Sequence, residues 1–549
     1  MTALLIENLP LLAGAPNGIK KLRELILELA IRGKLVPQDS NDEPASEQLK
    51  RIAEDKARLV AEGKIKKQKD LTDAPEPVIT FPLPVGWAAT SIGEATICRD
   101  GERVPISQAE REGRDKVFDY YGASGVIDKI DGYLFDKPLL LVGEDGANLI
   151  NRSTPIAFMA RGRYWVNNHA HVLDGISEEL LLYIELYFNA IDLKPYVTGT
   201  AQPKMNQSKM NGIPVALPPV AEQHRIVAKV DELMDLCNRL EAQQADAESA
   251  HAQLVQALLD SLTQASDASD FAVAWQRLAE HFHTLLTTEP SIDALKQTLL
   301  QLAVMGKLVP QKSSDEPASE LLKRIAKEKM RLIFEESLRT TAREDIPETE
   351  HYFTLHAGWS SCRLGNLARF IDYRGRTPTK TSSGVPLITA KNVRPGLISR
   401  EPQEFITDTD YLSWMTRGFP RAGDILITTE APMGNVAIID IPERFALAQR
   451  VICFQLHELQ TGPFLKLAMM SSGFQAELSD AATGMTATGI KSSRLKEIPI
   501  PIPPLTEQHR IVAKVDQLMA LCDQLKTRLT DARQLNEQLA STLVEQALS

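Results

Sequence analysis

Apolar positions along this chain fall into two alternating textures. In the first they recur every three or four residues. From Ile226 they fall at Val230, Leu233, Cys237, Leu240, Ala247, Leu254 and Leu258, the four-three spacing of a heptad seam. The same phase runs through Ile511, Val515, Leu518, Cys522, Leu525, Leu529, Ala532, Leu539 and Leu543. Both stretches are predicted to be long helices suited to coiled coils. His251 and Asn536 take matching polar places in the two stretches, where a buried polar residue would fix register. In the second texture, short apolar runs such as Pro138–Val142 and Asp424–Thr428 are bounded by Gly, Asp and Asn. These predict short strands and turns, hence small mixed α/β domains.

The textures alternate because the chain is one unit used twice. EQHRIVAKVD occurs letter for letter at 222–231 and 507–516, and LRELILELAIRGKLVPQ at 22–38 answers LKQTLLQLAVMGKLVPQ at 295–311. Both copies of the latter run on through DEPASE and LKRIA. Two dissimilar regions lie between the repeats, with matching edges: Gly86-Trp87 recurs as Gly358-Trp359, and Ile213-Pro214 as Ile498-Pro499. Pro-Pro pairs at 218–219 and 503–504 open the helices, with Glu222 and Glu507 in the favourable first turn. The expected order is a helical segment at 1–81, a variable domain at 82–219, a helical spacer at 220–353, a second variable domain at 354–504 and a closing helix at 505–549. The helices are expected to pack antiparallel, with the N-terminal ones near the C-terminal ones, in a pseudo-twofold arrangement.

Composition narrows the classes. A chain of 549 residues needs several cores, and 43% hydrophobic with 24% charged residues is the balance of a folded protein without a membrane span. The N-terminus, MTALLIENLPLLAGAP, carries no basic residue and is interrupted by Glu7, so it makes a poor export signal and a cytoplasmic location is expected. Five cysteines without a CxxC pair suggest neither a disulfide framework nor a zinc cluster. The net charge of -11 opposes a simple nucleic-acid binder, so any such role needs local positive charge or help from partners.

Several chemistries are missing. There is no Asn-Pro-Pro-Tyr-like motif to hold a flipped adenine and no Gly-rich turn for a methyl donor. Gly33-Lys34 and Gly306-Lys307 are each followed by Leu, so neither is a phosphate-binding loop. Glu144-Asp145 has no Lys at nuclease spacing and reads as a turn or a base-reading loop. His169 and His171 would share one side of a strand but have no ligand nearby in sequence, so no metal site is assigned.

The layout of two dissimilar domains, each closed by a Pro-Pro-x-x-Glu-Gln helix start, resembles the specificity subunit of type I restriction-modification systems over nearly the whole chain. The resemblance implies two target recognition domains on conserved helical spacers, and no catalytic activity in this chain. It implies double-stranded DNA, modification subunits that methylate adenine with S-adenosylmethionine, in two copies, and restriction subunits that use ATP and Mg. The competing reading is a structural adaptor with two peptide-binding domains, against which the polar, basic loops count.

Bases are read by paired donors and acceptors, and phosphates are held by cations and hydroxyls. In the first variable region the candidates are Arg99, Arg103, Ser124, Asn148, Asn151, Arg152, Asn167, Asn168, His169, Thr200, Gln202, Lys204, Asn206 and Lys209. In the second they are Tyr373, Arg374, Arg376, Thr377, Lys380, Lys391, Asn392, Arg394, Thr429, Asn435, Gln449, Arg450, Thr486, Thr488 and Lys491. Lys204 to Lys209 and Lys491 to Arg494 occupy equivalent places just before the long helices.

Overall fold

The computed structural model describes residues 12–65, 79–199, 202–266, 268–336, 354–373, 378–482 and 489–548. The chain forms two compact units, Met1–Ala247 with Ala532–Ser549, and Glu248–Asp531. Each is built on the same plan.

In the first unit the helix Gly18–Ile31 buries Ile19, Leu22, Leu25, Ile26 and Leu29 along one stripe. It runs antiparallel to the start of the long helix Val220–Gln264: Gln244 Nε2 donates to the Ala13 carbonyl at 2.6 Å, and Arg23 donates to Asn238 Oδ1 at 2.7 Å. The tail of the second long helix, Leu505–Leu548, lies alongside, with Lys21 Nζ on Ser541 Oγ at 2.9 Å and Lys34 Nζ on the Leu548 carbonyl at 2.6 Å. The second unit repeats this with the helix Glu289–Val304: Lys526 meets Asp293 at 2.8 Å, and Lys307 Nζ caps the Thr263 and Ala265 carbonyls at 2.9 Å.

The GKLVP segments end these short helices. Gly33 and Gly306 sit at φ 66° and 68°, and Lys34 N and Lys307 N donate back to the Leu29 and Leu302 carbonyls at 2.9 Å. A left-handed residue after the last turn closes the helix and favours glycine. Here a side chain would also strike Pro84 and Trp87, or His356 and Trp359.

The heptad seam holds only in part. Ile226, Val230 and Cys237 are buried, but Leu254 is exposed while Val255, Leu259 and Leu262 are buried instead. The second long helix does the same, exposing Leu539 and burying Ala540 and Ala547. The buried residues on either side of the shift belong to different cores, Ile226, Val230 and Cys237 to one and Val255, Leu259 and Leu262 to another, as do Cys522 and Ala540 in the second long helix, so no single seam runs the length of either helix. His251 is half-buried, with Thr287 Oγ1 3.5 Å from its Nε2, and Asn536 is exposed, so neither is the buried register-setting residue expected.

The first mixed domain has a four-stranded sheet in the order Ile97–Cys98, Ala170–Asp174, Leu139–Gly143, Ala157–Ala160, and a three-stranded sheet in the order Gly125–Ile130, Phe118–Gly122, Tyr164–Val166. The helix Glu178–Ala190 packs on the first sheet, and the ladder of Ala88–Ser91 with Pro214–Leu217 closes the domain. The second domain has the four-stranded order Ala368–Asp372, Val451–Leu456, Ile425–Thr428, Val436–Ile438, and the ladder of Ser360–Arg363 with Pro499–Ile502. Among the described residues no helix is long and apolar enough to cross a membrane.

Candidate nucleic-acid interface

The central strands of the two domains end in the same local construction. In the first, Gly143 pairs with Ala170, Glu144 N donates to the His169 carbonyl at 2.9 Å, and Met205 N donates to the Glu144 carbonyl at 2.8 Å. In the second, Thr428 pairs with Val451, Thr429 N donates to the Arg450 carbonyl at 2.9 Å, and Ile490 N donates to the Thr429 carbonyl at 3.1 Å. Isolated bridges join Asp145 to Lys204 and Glu430 to Gly489. These bonds make Glu144 the counterpart of Thr429, Asp145 of Glu430, His169 of Arg450, Lys204 of Gly489 and Met205 of Ile490.

Equivalent places therefore carry different side chains. His169 Nδ1 lies 2.7 Å from Asp145 Oδ2, and Arg450 Nε lies 3.2 Å from Glu430 Oε2, with both the imidazole and the guanidinium half-exposed. Asn206 caps the short helix Gln207–Asn211, its Oδ1 accepting from Lys209 N at 2.9 Å, and Lys491 stands at the same capping place before Ser492–Leu495. Lys209 and Arg494 then match, so the expected equivalence of these stretches holds from Asn206 opposite Lys491 onward, while Lys204 stands opposite Gly489. Exposed side chains here offer both the point charges that hold phosphates and the paired groups that read bases.

Behind the first domain's loops lies a buried ionic cluster. His171 is 1% exposed, with Nδ1 2.6 Å from Asp100 Oδ2 and Nε2 2.8 Å from the Met205 carbonyl. Glu144 receives Arg103 Nη1 at 2.8 Å and Lys204 Nζ at 3.1 Å. Burial would raise the Glu144 carboxyl, but the Arg103 hydrogen bond and the neighbouring positive charge outweigh it and hold the carboxyl below its ordinary range. Asp100 is held down likewise, by His171 and Arg103 against its burial. Asp100, Glu144 and His171 bring ligand atoms within 4.8 Å of one another. Arg103 and Lys204 already occupy the Glu144 oxygens, and the cluster is satisfied as an ion-pair network.

Residues 84–248 and 357–532 each match the family described as the type I restriction modification DNA specificity domain. The chain belongs to this family. The specificity subunits of the type I restriction enzymes EcoAI and EcoEI from Escherichia coli are each 36% identical to it, covering 97% of this chain and 94% of the relative. Among solved structures, the HsdS subunit from Thermoanaerobacter tengcongensis aligns over 85% of this chain and 98% of its own, at 17% identity and a TM-score of 0.39.

Within the two specificity domains the sequence-predicted residues divide by burial. Ser124, Asn151, Asn168, His169, Gln202, Lys204, Asn206, Lys209, Lys380, Lys391, Arg394, Arg450 and Lys491 present side chains to solvent. Others are engaged within the fold. Arg99 pairs with Asp174 at 2.6 Å, Arg103 joins the buried cluster, and Arg152 donates to the Phe188 and Ile191 carbonyls at 3.1 and 2.6 Å. Asn148 ties down residues 153–154, and Asn167 Oδ1 accepts from His169 N at 2.8 Å. Tyr373 is buried and donates to the Gly418 carbonyl at 2.6 Å. Asn392 and Thr429 are buried, Asn435 donates to the Val393 carbonyl at 2.9 Å, and Gln449 is half-buried. Thr200, Arg374, Arg376, Thr377, Thr486 and Thr488 lie outside the described residues.

Three features escaped the sequence reading. The two histidines do not share a face: His169 lies in the turn before the strand and His171 within it. The acids beside them, Asp145 and Asp100, are 24 and 71 residues away. The cations missing beside Glu144 come from Arg103 and Lys204, also remote in sequence. Only the pairing of strand ends reveals these partners.

Proposed function

We propose that this chain is the DNA-specificity subunit of a type I restriction-modification enzyme, each of its two domains reading one half of a bipartite target. The observation that carries the reading is the pair of equivalent strand ends bearing unlike exposed side chains. His169, Lys204 and Asn206 in one domain face the tasks of Arg450, Gly489 and Lys491 in the other. Two readers of different half-sites on one duplicated scaffold require this. Family membership favours DNA over the peptide ligands of an adaptor.

On this reading the chain supplies the address and the chemistry sits on partners. Two modification subunits would bring S-adenosylmethionine for adenine methylation, and restriction subunits would bring ATP and Mg. The partners would also supply phosphate contacts that a chain of net charge -11 leaves to others. The recognition domains would be 82–219 and 354–504, acting in the cytoplasm. The test is to produce the chain with its modification partner and sequence the methylated sites. A two-part motif with a fixed gap supports the reading, and methylation without sequence preference refutes it.

A further inference from the structure

We propose that Glu144 and His171 are positioning residues that set the base preference of the first half-site by clamping the loop at 202–206. The inference rests on the reading that this end of the domain meets DNA.

The clamp is a set of bonds that converge on one loop. His171 Nε2 lies 2.8 Å from the Met205 carbonyl and Nδ1 2.6 Å from Asp100 Oδ2, so the ring bridges the loop backbone and the Asp100 carboxylate. Glu144 Oε1 holds Lys204 Nζ at 3.1 Å, and its carbonyl receives Met205 N at 2.8 Å. Arg103 ties the far side, with Nη1 on Glu144 Oε2 at 2.8 Å and on the Ala170 carbonyl at 2.6 Å. Two adjacent loop residues, Lys204 and Met205, are thus held by side chain and backbone together. Gln202 and Asn206, exposed on either side of them, inherit their placement.

The second domain shows that the scaffold does not need these charges. Val142 pairs with His171 where Ile427 pairs with Ile452, so the counterpart of His171 is the buried Ile452. The counterpart of Glu144 is the buried Thr429. The same strand end therefore closes with neutral groups in one copy and with an ionic cluster in the other. A buried ion network adds little stability over well-packed neutral residues. What the charges add in the first domain is a fixed geometry for one loop.

The experiment uses the chain in complex with its modification partner and compares Glu144→Gln, which keeps the shape, with the double change Glu144→Thr and His171→Ile, which installs the second domain's pair. Hydrogen exchange is read by residue and methylated sites are sequenced. The clamp predicts about tenfold faster exchange at the Lys204 and Met205 amides, the loss of roughly one bond's worth of protection, with Leu140–Val142 still protected. It also predicts degeneracy in one half-site with the other unchanged. Unchanged loop exchange and an unchanged motif in Glu144→Gln overturn the proposal, and so does deprotection of the whole strand pair, which marks a purely structural role. If exchange rises as predicted while Gln202→Ala with Lys204→Ala leaves both half-sites intact, the clamp stands as a structural fact but the loop does not read DNA, and the positioning role falls with that reading.

Discussion

Trp87 donates its indole N–H to Glu222 Oε2 at 3.0 Å in a buried site, 135 residues along the chain. The bond fastens the entrance of the first recognition domain to the first turn of the long helix. Trp359 and Glu507 repeat it at 3.2 Å. Around each bond Gln223 or Gln508 donates to the carbonyl of the first proline of the Pro-Pro pair at 2.9 Å, and Arg225 or Arg510 pairs with Asp42 or Asp315 at 2.6 Å. The decapeptide is thus repeated partly because its buried letters build the same joint twice. Removing the indole N–H leaves a buried carboxylate oxygen unserved, which costs about 1–3 kcal/mol. Trp87→Phe should lower the unfolding free energy by that amount in denaturant titration, as should Trp359→Phe.

A pH dependence follows from Glu185. Burial pushes its carboxyl up to about 7, so the folded chain keeps a proton there that the unfolded chain has already lost. The stabilising contribution is complete below the ordinary value of 4.5 and is lost as pH rises through about 7. Glu185→Gln should flatten the fall in melting temperature between pH 5 and 7, roughly the titration window, and raise it at pH 8. An unaltered slope would assign the dependence elsewhere.

Contacts at the strand ends should divide by chemistry. Lys209→Ala and Lys491→Ala should weaken binding to all sequences alike and lower the log-log salt slope by about one each. Arg450→Ala should cost about 1–3 kcal/mol at one base position of the second half-site if its guanidinium contacts guanine. Binding titrations over a salt series, run on a panel of single-base variants of the target, separate the two behaviours.

The helix Val220–Gln264 offers a ruler. Four residues inserted near Ala245 lengthen it by about 6 Å, against ~3.4 Å per base pair. If the long helices hold the readers apart, the unread gap should grow by about one or two base pairs. The half-sites should stay the same, since no loop has changed. The methylated motif of the variant measures this, and an active enzyme with an unchanged gap would show that the helix does not set the spacing.

The duplicated plan was legible because repetition is a property of letters: EQHRIVAKVD and GKLVP mark the joints simply by recurring. The helices were legible by their spacing, but their buried stripe was not, since a seven-residue rule carries one seam through Leu254, whereas the two halves of the helix pack into different cores and Val255 is buried instead. Side-chain type alone marks candidate base readers and cannot separate the exposed Asn168 from the buried Asn167. The Asp100–Glu144–His171 cluster was invisible because its members come from three segments that meet only through strand pairing.

The central claim is that two domains read two half-sites independently, and exchange of residues 354–504 for the matching region of a relative with a different target tests it most directly. Sequencing the methylated sites of the hybrid should show one half-site replaced, with the other half and the gap unchanged. A change in both half-sites, or in neither, would contradict the account.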